Sequence, residues 1–406
     1  MKAILPKIKF KNFYEKWNRK KLQSIAPLRG GFAFKSEKFQ DSGIPIVRIS
    51  NIKFDGTVGG EFEYYSKINS DEKFVLRGRS ILLAMSGATT GKIAMLDSEE
   101  EYYQNQRVGY FQNTGAVNYD FLSSVLQTKE FTNQLNSVLV AGAQPNISSK
   151  EIDSFIFYIP ESLNEQSAIG SLFHTLDDLL SSYKDNLANY QSLKATMLSK
   201  MFPKAGQTVP EIRLDGFEGE WDLIKLGDFC DLITKGTTGK SQSEQGMVNF
   251  VKVENLKDNE IYPIVKISEE EHFGSLKRSI LYEGDILFSI AGTLGRTAIV
   301  KNNILPANTN QALAIIRGYK LDAYFLLVVL SGEVVKDYIR KNPTVGAQPN
   351  LSLEQVSSLK IKIPSLDEQQ AIGAYFSNLD NLIAAHQEKI SQLETLKKKL
   401  LQDMFI

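Results

Sequence analysis

Two glycine-bearing turns hold the residues best suited to meet a polyanion. One reads Ser86-Gly87-Ala88-Thr89-Thr90-Gly91-Lys92 and the other Ala291-Gly292-Thr293-Leu294-Gly295-Arg296. Glycine permits close backbone approach, hydroxyls and amides hold phosphate oxygens, and Lys or Arg reaches phosphate or the edge of guanine. A hairpin needing glycine only for its turn would read the same. Gln104-Asn105-Gln106-Arg107 and Asn308-Thr309-Asn310-Gln311 add amides, which pair bidentately with adenine or, when buried, organise loops. Asn105 and Gln106 fit the scaffold, while Gln104 and Arg107 are candidate contacts. Arg48-Ile49-Ser50-Asn51 and Lys252-Val253-Glu254-Asn255 put polar groups at alternating positions of an expected strand, and the exchange of Ser50 for Glu254 predicts that different bases are read.

Basic residues also crowd the first 48 positions, where Lys2, Lys7, Lys9, Lys11, Lys16, Arg19, Lys20, Lys21, Arg29, Lys35, Lys38 and Arg48 face only Glu15, Glu37 and Asp41. Such an excess suits phosphates or a solvated surface equally. Lys235 and Lys240 border a glycine-containing loop in the second half. The candidate contact set is Arg29, Lys35, Arg48, Ser50, Ser86, Thr89, Thr90, Lys92, Gln104, Arg107, Lys235, Lys240, Lys252, Glu254, Thr293 and Arg296.

Catalytic motifs fail on their spacing. Residues 234–241 resemble a phosphate-binding loop, but Thr234 stands where the first glycine belongs. Residues 87–92 are one spacer short. Asn342-Pro343-Thr344-Val345 lacks the second proline and the aromatic of an adenine methyltransferase motif. The single cysteine, Cys230, and three scattered histidines give no disulfide framework and no metal-ligand spacing. With 47 basic and 47 acidic residues the formal charge is zero, which argues against a simple cationic coat. No signal peptide is legible, and no stretch approaches the roughly 18 apolar residues of a membrane span. A cytoplasmic protein without membrane contact is expected.

The elements that must position these residues occur twice. Gly142-Ala143-Gln144-Pro145-Asn146-Ile147-Ser148 returns 204 residues later as Gly346-Ala347-Gln348-Pro349-Asn350-Leu351-Ser352. The same offset carries Trp17 to Trp221 and the 46–52 stretch to 250–256, and at 203 Glu165-Gln166 matches Glu368-Gln369. Ordered matches over such a length mark a tandem duplication. In each copy, strands are expected near 45–49, 81–85 and 92–96, and helices at 119–138 and 321–341. The Gly-Ala-Gln-Pro-Asn turn fits scaffold, with contacts from Gln144 or Gln348 as an alternative. After Pro160 and Pro364, Ser162-x-x-Glu165 and Ser365-x-x-Glu368 fit capping boxes that open long helices.

Apolar residues in these helices alternate by four and three: Leu176, Leu180, Tyr183, Leu187, Tyr190, then Lys194, Met197 and Met201. The second copy has Leu379, Ile383, His386, Ile390, Leu393, Lys397, Leu400 and Met404. This is a heptad seam interrupted twice by lysine, with Leu193 and Leu396 as alternative packing residues. Neither helix can bury its stripe alone, so each predicts the other as its partner. A linker of about seven residues reaches at most about 25 Å, whereas a helix of about 38 residues spans about 57 Å, so the pair must be antiparallel. The expected fold is α+β: two similar mixed α/β domains (1–160 and 204–364) at opposite ends of an antiparallel two-helix coiled coil (161–203 and 365–406). The arrangement is a pseudo-two-fold tandem repeat, suited to half-sites spread over roughly 17 base pairs.

This ordered, duplicated pattern resembles the specificity (S) subunit of type I restriction–modification systems. The resemblance covers essentially the whole chain. It rests on Ile-Pro-x-Val-Arg-Ile-x-Asn-Ile at 44–52, Gly284-Asp285-Ile286-Leu287 leading to Gly292-Thr293-Leu294-Gly295-Arg296, and Gly-x-x-Gln-x-x-[Ile/Leu] in both halves. Ile-Pro followed by Glu-Gln-x-x-Ile enters each helix. Gly78-Arg79-Ser80 departs from Gly284-Asp285. The resemblance implies a non-catalytic subunit whose two target recognition domains each read half of a split double-stranded DNA site and whose helices dock two methyltransferase subunits. It also implies motor-nuclease subunits for cleavage, and S-adenosylmethionine and ATP bound only by partners. A two-lobed ligand-binding scaffold without DNA is the alternative.

Overall fold

A computed structural model describes residues 6–68, 72–141, 146–239, 246–341 and 350–405. The chain forms two compact units, Met1–Lys184 with Glu388–Ile406, and Asp185–Gln387. Each unit contains part of both long helices, Leu163–Lys200 and Leu366–Asp403, which are 38 residues each. No helix among the described residues is long and apolar enough to cross a membrane.

In the first unit, strands Leu28–Gly30, Val108–Phe111, Ser80–Ala84 and Ile93–Leu96 lie in that spatial order in an antiparallel sheet. A second sheet orders Glu63–Tyr65, Ile44–Val47, Tyr102–Gln104 and Val75–Leu76, with the middle pair parallel. Ser80–Ala84 is wholly buried because strand residues alternate between two covered faces. Ile81 and Leu83 join the core that includes the helices, while Leu82 and Ala84 join Val47 and Leu76 toward the second sheet.

The second unit repeats this plan. Cys230–Lys235, Leu313–Tyr319, Ile286–Ser289 and Thr297–Ile299 form its four-stranded sheet, and Val248–Val251 pairs in parallel with Ala307–Thr309. The expected single helices are each broken in two: Tyr119–Val125 with Lys129–Ala141, and Ala323–Ser331 with Glu333–Lys341. Thr128 Oγ1 accepts from Phe131 N–H to start a new helix in the first copy, and Gly332 ends the old one in the second.

The turn that departs between copies does so through its charges. Asp285 accepts from Tyr282 N–H at 2.8 Å and pairs with Arg317 at 2.6 Å, whereas Arg79 pairs with Asp120 at 2.6 Å.

Each unit has its own aromatic nucleus. Trp17, Phe121, Phe173 and Phe405 meet in the first, and Trp221, Phe325, Phe376 and Phe202 in the second. The phenylalanine that ends one sequence repeat therefore completes the core holding the other repeat's tryptophan. Trp17 Nε1 donates to buried Glu165 at 3.1 Å, so this carboxylate is spent on a tertiary contact instead of closing a capping box. Glu368 likewise turns to Arg213 at 2.7 Å. Only the serine half of each box remains, with Ser162 and Ser365 Oγ accepting at 3.4 Å.

The helix segments run antiparallel within each unit. In the first, Asp177 pairs with Lys397 and Lys184 with Glu394; in the second, Tyr190 meets His386 and Lys194 pairs with Asp380. Leu176, Leu180, Leu379 and Leu393 are buried, and Tyr183, Leu187, Tyr190, Ile383, Ile390 and Leu400 are partly so. Lys194 and Lys397 remain in the seam because each meets an aspartate across it. Leu193 and Leu396 do not replace them and stay exposed.

Candidate nucleic-acid interface

A buried asparagine builds the first loop of each unit. Arg48 N–H donates to Asn51 Oδ1 at 2.9 Å, and Lys252 N–H to Asn255 Oδ1 at 2.8 Å. The strands consequently stop at Val47 and Val251, and Ile49–Asn51 and Val253–Asn255 become 3-10 turns. This corrects the expected strand alternation: Ser50 and Glu254 stand exposed on a turn, with Arg48 and Lys252 half-buried beside them.

The glycine turns lie against these loops. Gly87 and Gly91 have φ of 76° and 86°, and Gly292 and Gly295 have 74° and 79°, so the backbone favours glycine at all four positions. Thr89 Oγ1 donates to Ile49 O at 3.3 Å, and Arg296 Nη1 donates to Val253 O at 3.3 Å and Leu256 O at 3.2 Å. Equivalent carbonyls thus receive different side chains in the two copies.

Two more loops converge on each pair. Asn105 N–H donates to Val47 O at 3.1 Å and Asn310 N–H to Val251 O at 3.2 Å. Met85 N–H donates to Arg107 O, and Ile290 N–H to Ala312 O, both at 2.9 Å. A Cβ at Gly31 would strike the carbonyls of Gln104 and Asn105, and one at Gly236 those of Thr309 and Asn310. Four loops therefore gather at one end of the sheets in each unit.

This geometry sorts the predicted residues. Gln104 is fully buried; its Nε2 donates to Arg29 O at 2.8 Å and Val108 O at 2.7 Å, and its Oε1 accepts from Arg29. Half-buried Arg29 also donates to Val75 O at 3.0 Å and lies over Tyr110, with desolvation lowering its pKa. Both residues are scaffold, because no free edge remains on Gln104 and the Arg29 guanidinium is committed inside. Ser86 is buried at the mouth of its turn, and Thr90 Oγ1 donates to Gly87 O at 2.6 Å. Arg48 pairs with Glu63 at 3.2 Å. Lys92 places its ammonium over the Phe54 ring, and its pKa is lowered, first by desolvation and then by Lys53.

Lys35, Arg107, Lys235, Thr293 and Arg296 are exposed. Lys240 lies outside the described residues, as do residues 142–145 and 342–349 with Gln144 and Gln348. Of the amino-terminal basic residues, Lys7 pairs with Asp403, and Arg19, Lys20 and Lys21 lie exposed on the strand Asn18–Lys21, which pairs with Ile156–Ile159.

Sequence reasoning missed three exposed features. Gln106 and Gln311 project into solvent, while the neighbouring Asn105 and Asn310 accept from main-chain N–H groups at 3.2 Å. Phe54 is 89% exposed, and Lys53 Nζ donates to Ser50 O at 3.2 Å beside it. The Asp55-Gly56 turn signal that follows marks that loop in the sequence.

Comparison with known proteins places this architecture. The family model described as "Type I restriction modification DNA specificity domain" matches twice, over residues 14–189 and 218–395. The type I restriction enzyme MjaVIII specificity subunit of Methanocaldococcus jannaschii is 22% identical over 342 residues, covering 82% of this chain and 79% of its own. The EcoBI specificity subunit of Escherichia coli is 23% identical over 424 residues, covering 97% and 86%. A crystal structure of the type I restriction–modification S subunit from M. genitalium shares the fold, with a TM-score of 0.66 at 17% identity and 99% of each chain covered. With two matched DNA specificity domains in tandem, the chain belongs to the type I restriction–modification specificity subunit family, whose members are the non-catalytic, DNA-reading component.

Proposed function

We propose that each four-loop cluster reads one half of a split double-stranded DNA site on behalf of an adenine-N6 methyltransferase. The observation carrying this reading is the cluster itself, repeated in frame but with different exposed side chains at equivalent positions. Arg48, Ser50, Thr89, Lys92 and Arg107 address the first half, and Lys252, Glu254, Thr293 and Arg296 the second. Glu254 suits the amino group of cytosine, Arg296 suits guanine or phosphate, and Ser50 accommodates several bases. Lys35, Lys235 and Lys240 supply outer phosphate contacts.

Residues 1–160 and 204–364 act as the reading domains. The helices at 161–203 and 365–406 dock two methyltransferase subunits, and motor-nuclease subunits join for cleavage. S-adenosylmethionine and ATP are bound by those partners, and the assembly works in the cytoplasm.

Methylome sequencing of a host expressing the chain with its methyltransferase partner tests this. A split motif with a fixed gap is expected, and exchanging residues 1–160 for a related domain should change one half only. Adding one heptad to both helices, in matching positions, should lengthen the gap and leave both halves intact. Changed half-sites after heptad insertion, or no split motif at all, would overturn the reading.

A further inference from the structure

Phe54 is the feature of the first cluster that the contact set leaves unexplained. The ring is 89% exposed, and it stands on the loop that follows Ser50, with the Lys92 ammonium over it. Hydrogen bonds close its loop: Lys53 N–H donates to Thr57 O at 3.0 Å, Asp55 Oδ1 accepts from Thr57 N–H at 3.0 Å and Thr57 Oγ1 at 2.6 Å, and Met95 N–H donates to Gly56 O at 2.9 Å. Lys92 and Lys53 put two ammonium groups beside the ring, one over its face and the other on the adjoining turn of Ser50. At the position that matches Phe54 the second unit has Asp258. There the corresponding hairpin, Leu256–Lys257 with Glu260–Ile261, closes through Asp258 and Asn259 at φ of 52° and 63°, without an aromatic.

We infer that Phe54 is a stacking wedge, entering the base stack at the edge of the first half-site as the Lys92 ammonium leaves its face, so that Lys53 and Lys92 hold the flanking phosphates. An apolar side chain inserted between base pairs unstacks one step and bends the duplex. The flanking cations favour a polyanion over an apolar protein surface as occupant. The inference rests on the cluster facing DNA, and it makes the two half-sites unlike in mechanism as well as in sequence: one is deformed, the other is not.

The test uses the full chain co-purified with its methyltransferase partner and duplexes carrying the mapped site. 2-Aminopurine is substituted one position at a time across the first half-site and its flanks. One position should brighten on binding to the unaltered complex and stay dark with Phe54→Ala, which should also bind roughly tenfold more weakly. Phe54→Trp should restore both signals, and the footprint over the second half-site should persist throughout. Arg48→Ala separates the wedge from the reading beneath it. If Arg48→Ala weakens binding while Phe54→Ala does not and no position brightens, the wedge alone falls. If both variants bind like the unaltered complex, the assignment of the cluster to DNA falls with it. Failure of Phe54→Ala to co-purify with the methyltransferase would make the ring a protein contact and overturn the inference.

Discussion

Arg296 donates through Nη1 to the main-chain oxygen of Val253 at 3.3 Å, tying the glycine turn of the second unit to the loop that carries Glu254. The bond orients an exposed guanidinium without burying it. Arg296→Ala should weaken protection of the second half-site roughly tenfold, within the range for a lost base or phosphate contact, and leave the first unchanged. Footprinting of the co-purified complex reads this directly; equal loss over both halves would place Arg296 outside the reading surface.

Gln104 should behave as structure and not as recognition. Gln104→Ala strands two carbonyls and the Arg29 guanidinium in the interior of the first unit. Buried groups left without partners cost about 1–3 kcal/mol, so denaturant unfolding should shift accordingly while the methylated motif stays the same. A changed base preference would return Gln104 to the reading set.

Gly170 and Gly373 reverse an ordinary rule. Alanine for glycine inside an exposed helix stabilises by about 1 kcal/mol. A Cβ at Gly170, however, would lie 2.6 Å from Phe121 N, and one at Gly373 3.1 Å from Phe325 N, because short helices begin against these positions. Gly170→Ala should therefore destabilise by about 1–3 kcal/mol, the usual cost of overpacking. A higher melting temperature would show that the neighbouring helix gives way.

Glu165 makes stability depend on pH. Burial, partly offset by the Trp17 hydrogen bond, raises its pKa above the ordinary carboxylate value. The folded state therefore binds the proton more tightly than the unfolded chain, so this residue's contribution to stability grows as pH falls through the folded-state pKa and is lost as pH rises again. Glu165→Gln keeps an acceptor for Trp17 without the charge. It should flatten that segment of the melting-temperature profile above the ordinary carboxylate range, and an unaltered slope would assign the pH dependence elsewhere.

The duplication, the strand cores and the long helices were legible in the amino-acid sequence because each depends on repetition or local period. Matching residues 203 or 204 positions apart share burial and aromatic packing down to Trp17 and Trp221, and a spacing of four and three maps onto one helix face whatever surrounds it. The seam lysines read as interruptions only because Asp177 and Asp380 lie on the other helix, far away in sequence. Tertiary structure alone decided which amides and cations reach solvent. Gln104 and Gln106 are the same residue two positions apart, yet one ends a strand in the core and the other lies in the exposed turn that follows it. Residue type states what a side chain can bond to. Whether the protein has already taken those bonds depends on groups such as the Val108 and Arg29 carbonyls, which only folding brings within reach.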